Sequence, residues 1–134
     1  MPVSPCVVGT WPFSRNPVFE TMQLLCNENT SIDAVEKGIN LAELDASYGP
    51  YHIGCAGWQN SEFVLELDAA IMNGADLNFG AVTALKGFPQ AISVARRVME
   101  RSQHSMLTGE VQLALLRHKS LIFNKILEEV RNHK

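Results

Sequence analysis

The chain has 134 residues, of which 46% are hydrophobic and 19% are charged, and its formal net charge is −3 at pH 7. This composition is typical of one globular domain with a single hydrophobic core. A slightly acidic chain has no basic stripe for a phosphate backbone, and no run of about 18 apolar residues could cross a bilayer. We therefore expect neither nucleic acid nor a membrane as a partner.

Cysteine usage and the first residues bear on the cellular compartment. Cys6, Cys26 and Cys55 are an odd number of cysteines at wide spacing, which predicts reduced, mostly buried thiols and no disulfide framework. The segment after Met1 has no basic region followed by a long apolar run, so no secretory leader is predicted. As given, the chain is expected to stay in the cytosol.

The first elements are a short strand and a helix. Residues 6–10, CVVGT, are apolar and are followed by Pro12, which cannot donate to a continuing strand ladder. Asn16 as N-cap and Pro17 at the first helical position predict a helix that ends near Asn27. Its predicted apolar face consists of Val18, Met22, Leu25 and Cys26.

A second helix follows after a short break. Thr30 or Ser31 is its predicted N-cap, and Gly38 weakens it by about 1 kcal/mol relative to alanine. Its predicted apolar face consists of Ile32, Val35, Ile39 and Ala42. The loop at residues 45–51 ends this helical pattern because it contains a Gly-Pro pair.

The middle of the chain predicts a β-hairpin. Apolar and polar residues alternate from Glu62 to Ile71, as in a strand with one buried face. Asn73-Gly74 favours a tight turn that returns the chain through residues 75–84. The small residues of the returning strand leave room for a helix or another backbone to approach closely; they are Gly80, Ala81 and Ala84.

Helices and one more strand are predicted for the remainder. Pro89 is predicted to open a helix, and residues 104–108 form a short strand. The inward face of this helix is predicted to hold Ile92, Ala95, Val98 and Met99. Residues 111–134 read as an amphipathic helix, with an apolar face of Leu116, Phe123, Ile126, Leu127 and Val130.

Several residues could carry chemistry, each with a plain structural alternative. Glu66 and Asp68 share a strand face and could act as a hydrolytic carboxylate pair, or could fix a loop and remain solvated. A metal site could use His52, Cys55 and His104, although only two of these are close in sequence. Three further possibilities are a nucleophile at Cys55 or Cys6, a phosphate cradle at residues 54–57, and sugar stacking or core packing by Trp11 and Trp58.

Several motifs occur in an order that resembles the N-terminal, α-subunit part of enzymes of the glycosylasparaginase family. These enzymes are also called aspartylglucosaminidases, and they belong to the asparaginase 2 family of N-terminal nucleophile hydrolases. The segments are TWPF (10–13), DAVEKGINLAEL (33–44), IGCAGWQNS (53–61), VLELDAAIMNG (64–74), FGAVTALKGF (79–88), AISVARRVME (91–100) and HSMLTGE (104–110). Several also resemble the isoaspartyl peptidase/L-asparaginase enzymes, but TWPF favours the glycosylasparaginase branch.

The resemblance implies an α/β (α+β) fold and an amidohydrolase. The family fold is an αββα sandwich, of which this chain would form a part. Its members are precursors that cleave themselves and expose a threonine at the N-terminus of the β chain. That threonine attacks the side-chain amide of glycosyl-asparagine or β-aspartyl substrates, its own α-amine takes the proton, and an oxyanion hole stabilises the intermediate. The resemblance implies no cofactor and no metal.

The chain departs from the family pattern in ways that affect activity. None of its threonines follows an aspartate, so we assign no catalytic residue. Residues 111–134 do not resemble the family's continuation, which predicts an α-subunit-like part over residues 1–110 and a divergent helical tail over residues 111–134 in a truncated product. The family's VGxGG appears as IGCAG, so Ala56 would cost about 1 kcal/mol if that position needed positive φ.

The resemblance also leaves open alternatives for the function. The chain is either the α-like portion of the amidohydrolase, inactive without its nucleophile, or a truncated isoform that pairs with a β subunit or full-length homologue. A marginal product without function is a third reading. Trp11 is the one substrate-binding residue that the resemblance assigns. If a leader is missing from the sequence, the resemblance implies a lysosomal location.

Overall fold

A mixed α/β arrangement is seen in the computed structural model, which describes residues 4–49 and 53–109. The elements are helices α1 (Arg15–Cys26), α2 (Ser31–Leu44) and α3 (Ala91–Arg101), and strands β1 (Glu66–Met72), β2 (Phe79–Lys86) and β3 (Met106–Thr108). The strands form one sheet in the order β1-β2-β3, with β1 antiparallel and β3 parallel to β2. Helix α3 packs on the sheet, α2 packs beside α3, and α1 packs against α2. Among the described residues, no helix has the length and apolar character needed to cross a membrane.

Helix α1 is confirmed, but its start and its buried face differ from the prediction. A 3₁₀ turn at Pro12–Ser14 leads directly into the helix, so its N-cap is Ser14 and not Asn16. The buried residues are Pro17 and Thr21, whereas the predicted apolar face is partly exposed and its Cys26 is exposed. The physical reason is the contact with α2, which buries Thr21.

A glycine sets the close approach of α1 and α2. The Thr21 hydroxyl occupies the space that a Cβ at Gly38 would take, and it donates to the Pro17 carbonyl at 2.7 Å. The predicted cap of α2 is confirmed, because the backbone N–H of Asp33 donates to the Thr30 side chain at 3.2 Å. The weak helix former Gly38 therefore has a packing role.

The strand predicted at residues 6–10 is wrong. Residues 4–9 have no regular secondary structure, and Val8 is exposed. A strand needs a neighbour for its backbone groups, and none of the three described strands pairs with this segment. The cysteines are free, as predicted, but the prediction of mostly buried thiols is wrong because Cys6, Cys26 and Cys55 are all exposed.

The β1–β2 hairpin is confirmed, with a longer loop than the predicted tight turn. Met72 pairs with Phe79, so residues 73–78 form the connection. The backbone N–H of Asn73 donates to the Asn78 carbonyl at 2.8 Å, and the Asn73 side chain accepts from the backbone N–H of Ala75. The Asn73 side chain thus stabilises a local turn, and strand pairing resumes at Phe79, four residues later than a two-residue turn predicts.

Strand β1 also begins later than predicted. The side chain of Asn60 accepts hydrogen bonds from the backbone N–H groups of Glu62 and Val64, at 2.9 and 3.0 Å. Phe63 between them has φ +59° and is exposed. This turn uses the backbone groups that a strand would need, so pairing with β2 starts at Glu66.

The core lies between the sheet and α3. The predicted inward residues of α3 are all buried, although the helix begins at Ala91 and not at Pro89. Gly80 is the point of closest approach, because a Cβ there would overlap the Ala95 carbonyl oxygen and the Met99 backbone nitrogen. The core residues are Leu67, Ile71, Val82, Leu85, Ala91, Ile92, Val94, Ala95, Val98, Met99 and Leu107. The predicted role of small residues in β2 is thereby confirmed for Gly80.

The predicted strand at residues 104–108 is confirmed at its C-terminal end as β3. The predicted C-terminal helix lies outside the described residues. The boundary between residues 110 and 111 therefore remains a prediction.

Candidate functional site

A groove of about 450 Å³ lies where α2, the 54–58 turn and β1 meet. The described residues that line it are Ile39, Glu43, Ile53, Gly54, Gly57, Trp58, Glu66, Leu67, Asp68, Ala69, Ala70 and Ile92. Its volume is in the range of small-molecule sites. The lining is mostly apolar, with three carboxylates and one tryptophan, and so combines a hydrophobic surface with a few polar groups.

Glu43 is the unusual residue of this groove. Its exposed fraction is 3%, and its Oε1 accepts a hydrogen bond from the backbone N–H of Ile92 at 3.0 Å. The other oxygen, Oε2, is buried and has no hydrogen-bond partner among residues 4–49 and 53–109. Burial raises the pKa of Glu43 to about 8; the hydrogen bond from Ile92 acts in the opposite direction, and the nearby charge of Glu36 adds to the rise. Glu43 is therefore mostly protonated at neutral pH.

The turn beside Glu43 depends on a glycine. Gly54 has φ +61°, and a Cβ there would overlap the backbone of Glu43. Ala56 is not among the residues with positive φ, so the substitution of the family glycine at this position carries no backbone cost of that kind. Gly54 therefore allows the turn to lie directly against the C-terminal end of α2.

The predicted carboxylate pair lies on the β1 side of the groove. Glu66 forms a 3.0 Å ion pair with Lys86, and hydrogen bonds from Lys86 and then Asn60 lower the pKa of its carboxyl. Asp68 accepts a 2.8 Å hydrogen bond from the backbone N–H of Ala84, which has φ +53° at a β-bulge. Glu66 is therefore unsuited to hold a proton for general acid catalysis at neutral pH, and Asp68 fixes the bulge.

The two tryptophans have different positions. Trp58 is 67% exposed and lines the groove. Trp11 is 66% exposed and stacks on Phe13, with ring centroids 6.3 Å apart, and it is not among the described residues that line the groove. The structure therefore brings Trp58, but not Trp11, together with the carboxylates.

The remaining chemical candidates are not assembled in the described part of the chain. No three histidine, cysteine, aspartate or glutamate residues of residues 4–49 and 53–109 are grouped as metal ligands would be, and His52 lies outside these ranges. His104 and Cys55 are exposed. Residues 54–56 form a 3₁₀ turn packed against Glu43, so Gly54 has a structural role.

Sequence reasoning missed Glu43. Its burial could have been predicted, because Glu43 follows Ile39 by four residues and therefore lies on the same face of α2. A carboxylate at such a position is a signal for a buried group with a shifted pKa.

Comparisons with known proteins identify the family. The sequence pattern of the family described as asparaginase matches residues 14–126. An N(4)-(β-N-acetylglucosaminyl)-L-asparaginase of Rattus norvegicus is 37% identical over 106 residues, which are 79% of this chain and 30% of the relative. One of Elizabethkingia miricola is 36% identical over the same shares, and an isoaspartyl peptidase/L-asparaginase of Bos taurus is 36% identical over 65% of this chain and 27% of its own length.

The chain thus spans about 30% of the length of the glycosylasparaginases that it matches. The resemblance read from the motifs is confirmed, since relatives of both predicted branches are found. The pattern match covers well over half of the residues, and the chain belongs to the asparaginase family.

Proposed function

We propose that the chain supplies the α-subunit-like portion of an amidohydrolase of the glycosylasparaginase type. The substrate class is a glycosyl-asparagine or β-aspartyl amide, whose side-chain amide is hydrolysed. The observation that carries the proposal is the 37% identity over 106 residues to a rat N(4)-(β-N-acetylglucosaminyl)-L-asparaginase, compared with matches of 80 to 90 residues to isoaspartyl peptidases.

The catalytic nucleophile in this proposal comes from outside the 134 residues. An N-terminal threonine of a β part attacks the amide carbon, and its α-amine accepts the proton. The present chain contributes the sheet, its helices and a wall of the substrate site. Trp11 is proposed to contact the substrate, which is supported by its exposed ring and by the Ser14 hydroxyl, which donates to the Trp11 carbonyl at 2.6 Å and holds this turn.

Two hydrolysis assays test the proposal. The purified chain alone is expected to release no aspartate from a β-aspartyl amide, because it lacks the nucleophile. Co-expression with the β part of a glycosylasparaginase is expected to restore turnover above a heat-treated control. Turnover by the chain alone, or none in the co-expressed complex, would contradict the proposal.

A second candidate function is binding to a β subunit or full-length relative without catalysis. It is supported by apolar side chains on the sheet face opposite α3, where Met72, Phe79 and Met106 are all exposed. In an αββα sandwich a second sheet would cover this face.

Co-purification with a full-length relative tests this second function. Met72→Lys is expected to weaken capture, because it places a charge on the apolar face. Phe19→Lys is the matched control on α1, since Phe19 is also exposed but lies away from the sheet. A folded monomer that captures no relative, or equal capture by both variants, would refute it.

A further inference from the structure

We propose that residues 111–134 dock, as an amphipathic helix, on the face of the sheet that lies opposite α3 in the same chain. The surface that they cover, called here the open sheet face, consists of Ala70, Met72, Phe79, Ala81 and Met106. The inference does not rest on the proposed amide hydrolysis, because it concerns only how this chain covers its own sheet.

The open sheet face is apolar and exposed in the part of the chain that the structure describes. Met72 pairs with Phe79, and Met106 pairs with Ala81, two residues after Phe79, so these side chains share one face. The exposed fractions of Met72, Phe79 and Met106 are 55%, 44% and 54%. The other face is the one that packs on α3 through Gly80. A sheet that is apolar on both faces needs a covering layer on each, so this face calls for a second layer.

The sequence of residues 111–134 has the pattern of such a layer. On a helix, its apolar side chains fall within one stripe about 100° wide. They are Leu116, Phe123, Ile126, Leu127 and Val130. At a rise of about 1.5 Å per residue this stripe is about 21 Å long, and a strand as long as β1 or β2 is about 23–26 Å long. The stripe therefore has the length needed to lie along these two strands.

The end of the described chain places the segment beside the open sheet face. Strand β3 is an edge strand, and the backbone N–H of Gly109 directly after it donates to the Thr83 carbonyl at 3.0 Å. The seven residues from Gly109 to Leu116 can span up to about 23 Å, whereas a sheet of three strands is about 10 Å wide. The stripe can therefore reach every strand. Its covalent connection also gives it an effective concentration of about 1 mM or more, which favours docking within one chain over docking on a second copy.

The charges of the two parts of the chain are complementary. With five basic and two acidic residues, the segment 111–134 has a formal net charge of +3, whereas residues 1–110, with six basic and twelve acidic residues, have −6. The exposed Asp76 lies in the β1–β2 connection, next to the Met72–Phe79 pair. Opposite net charges draw the segment towards the acidic remainder of the chain, and the apolar stripe then gives the contact its hydrophobic area.

Oxidation of individual methionines by hydrogen peroxide, measured by mass spectrometry on the full 134-residue chain, tests the docking. Phe123→Lys places a charge in the apolar stripe and is expected to raise the oxidation rates of Met72 and Met106 by about fivefold or more. Asn132→Lys is the matched control, because it adds the same charge on the opposite side of the helix and should leave both rates unchanged. Met99 is 8% exposed in the core and should react slowly in every variant that keeps its fold.

Equal oxidation rates of Met72 and Met106 in Phe123→Lys and in the original chain would overturn the inference. A second measurement needs no variant: NMR of the original chain is expected to show nuclear Overhauser effects between the Phe123 ring and the methyl groups of Met72 or Met106. Their absence would overturn the inference even where Phe123→Lys fails to fold. Methionine protection that disappears on dilution together with a dimer would place the segment on a second copy and would overturn it as well.

The docked segment also bears on partner binding. The open sheet face includes the exposed residues that the second candidate function assigns to a β subunit or a relative, so the segment would have to leave this face before such a partner binds. The oxidation and NMR measurements use neither a partner nor a substrate. Their failure would remove the docked segment and leave the proposed function untouched, and failure of the hydrolysis assays would leave the docked segment untouched.

Discussion

The buried carboxyl of Glu43 predicts a pH-dependent stability that a single substitution should abolish. Its pKa is about 8 in the folded chain, compared with an ordinary value of 4.5. Between these values the folded state binds more protons than the unfolded state, so the free energy of unfolding falls as pH rises. The contribution of Glu43 is fully present below about 4.5 and is lost as pH passes through about 8.

The size of the effect follows from the two pKa values. From about pH 5 to about pH 8, Glu43 should lower the free energy of unfolding by about 3 to 4 kcal/mol. Glu43→Gln keeps an oxygen that can accept from the Ile92 N–H, but it does not titrate. Its amide N–H groups remain unpaired at a cost of about 1–3 kcal/mol, so the variant should be the less stable chain at about pH 5.

Urea unfolding followed by circular dichroism, at both pH values, measures this difference. The free energy of unfolding of the original chain should fall by about 3 to 4 kcal/mol more than that of the variant on going to about pH 8, which reverses their order of stability. Glu62→Gln is the control, because Glu62 is an exposed glutamate and its variant should follow the original chain. Equal pH slopes for Glu43→Gln and the original chain would show that Glu43 is ionised in the folded state and would refute the reasoning.

Three further predictions concern the packing and ion pairs of the described fold, each measured by urea unfolding. Gly80→Ala should lower the free energy of unfolding by about 3 kcal/mol or more, because the new Cβ overlaps α3. The control Gly74→Ala, where a Cβ would have no atom within 4 Å, should change it by less than about 0.5 kcal/mol. Equal effects would contradict the packing argument. Gly54→Ala should lower the free energy of unfolding by about 2 kcal/mol or more, because Gly54 has positive φ and a Cβ there overlaps Glu43. It should also broaden the NMR signal of the Trp58 indole, and an unchanged spectrum would contradict the described turn. Arg96→Met removes the cation that Asp33, Glu36 and Glu100 share, and should lower the free energy of unfolding by about 2 kcal/mol. Arg97→Met removes one ion pair, with Glu100, and should lower it by about 0.5 kcal/mol. The reverse order of effects would contradict a stabilising role of the Arg96 ion pairs.

Local sequence signals identified the elements whose stability is largely local. The presence of helix α2 could be predicted from the Thr30 cap, and that of α3 from apolar residues that repeat every three or four positions. The buried face of α2 could not: of the predicted residues only Ala42 is buried, and Val35 is exposed. The β1–β2 hairpin could be predicted from the alternation of apolar and polar residues and from Asn73. The motif order was sufficient to indicate the family, which the comparisons confirm.

Other features depend on contacts between residues distant in the chain. Residues 6–10 have the composition of a strand, but no described strand supplies a partner. The buried face of α1 is set by Gly38, a residue on another helix, and not by the apolar residues of α1 itself. A pattern within one element cannot report which neighbour approaches it, because burial is a property of the assembled fold.

The groove shows the same division. The sequence by itself indicated that Glu66 and Asp68 lie on one strand face. Only the tertiary structure decided that Lys86 neutralises Glu66, that Asp68 holds a bulge, and that Gly54 and Ile92 enclose Glu43. Solvent exclusion by these separate segments gives Glu43 its neutral form, and that exclusion exists only once the chain has folded.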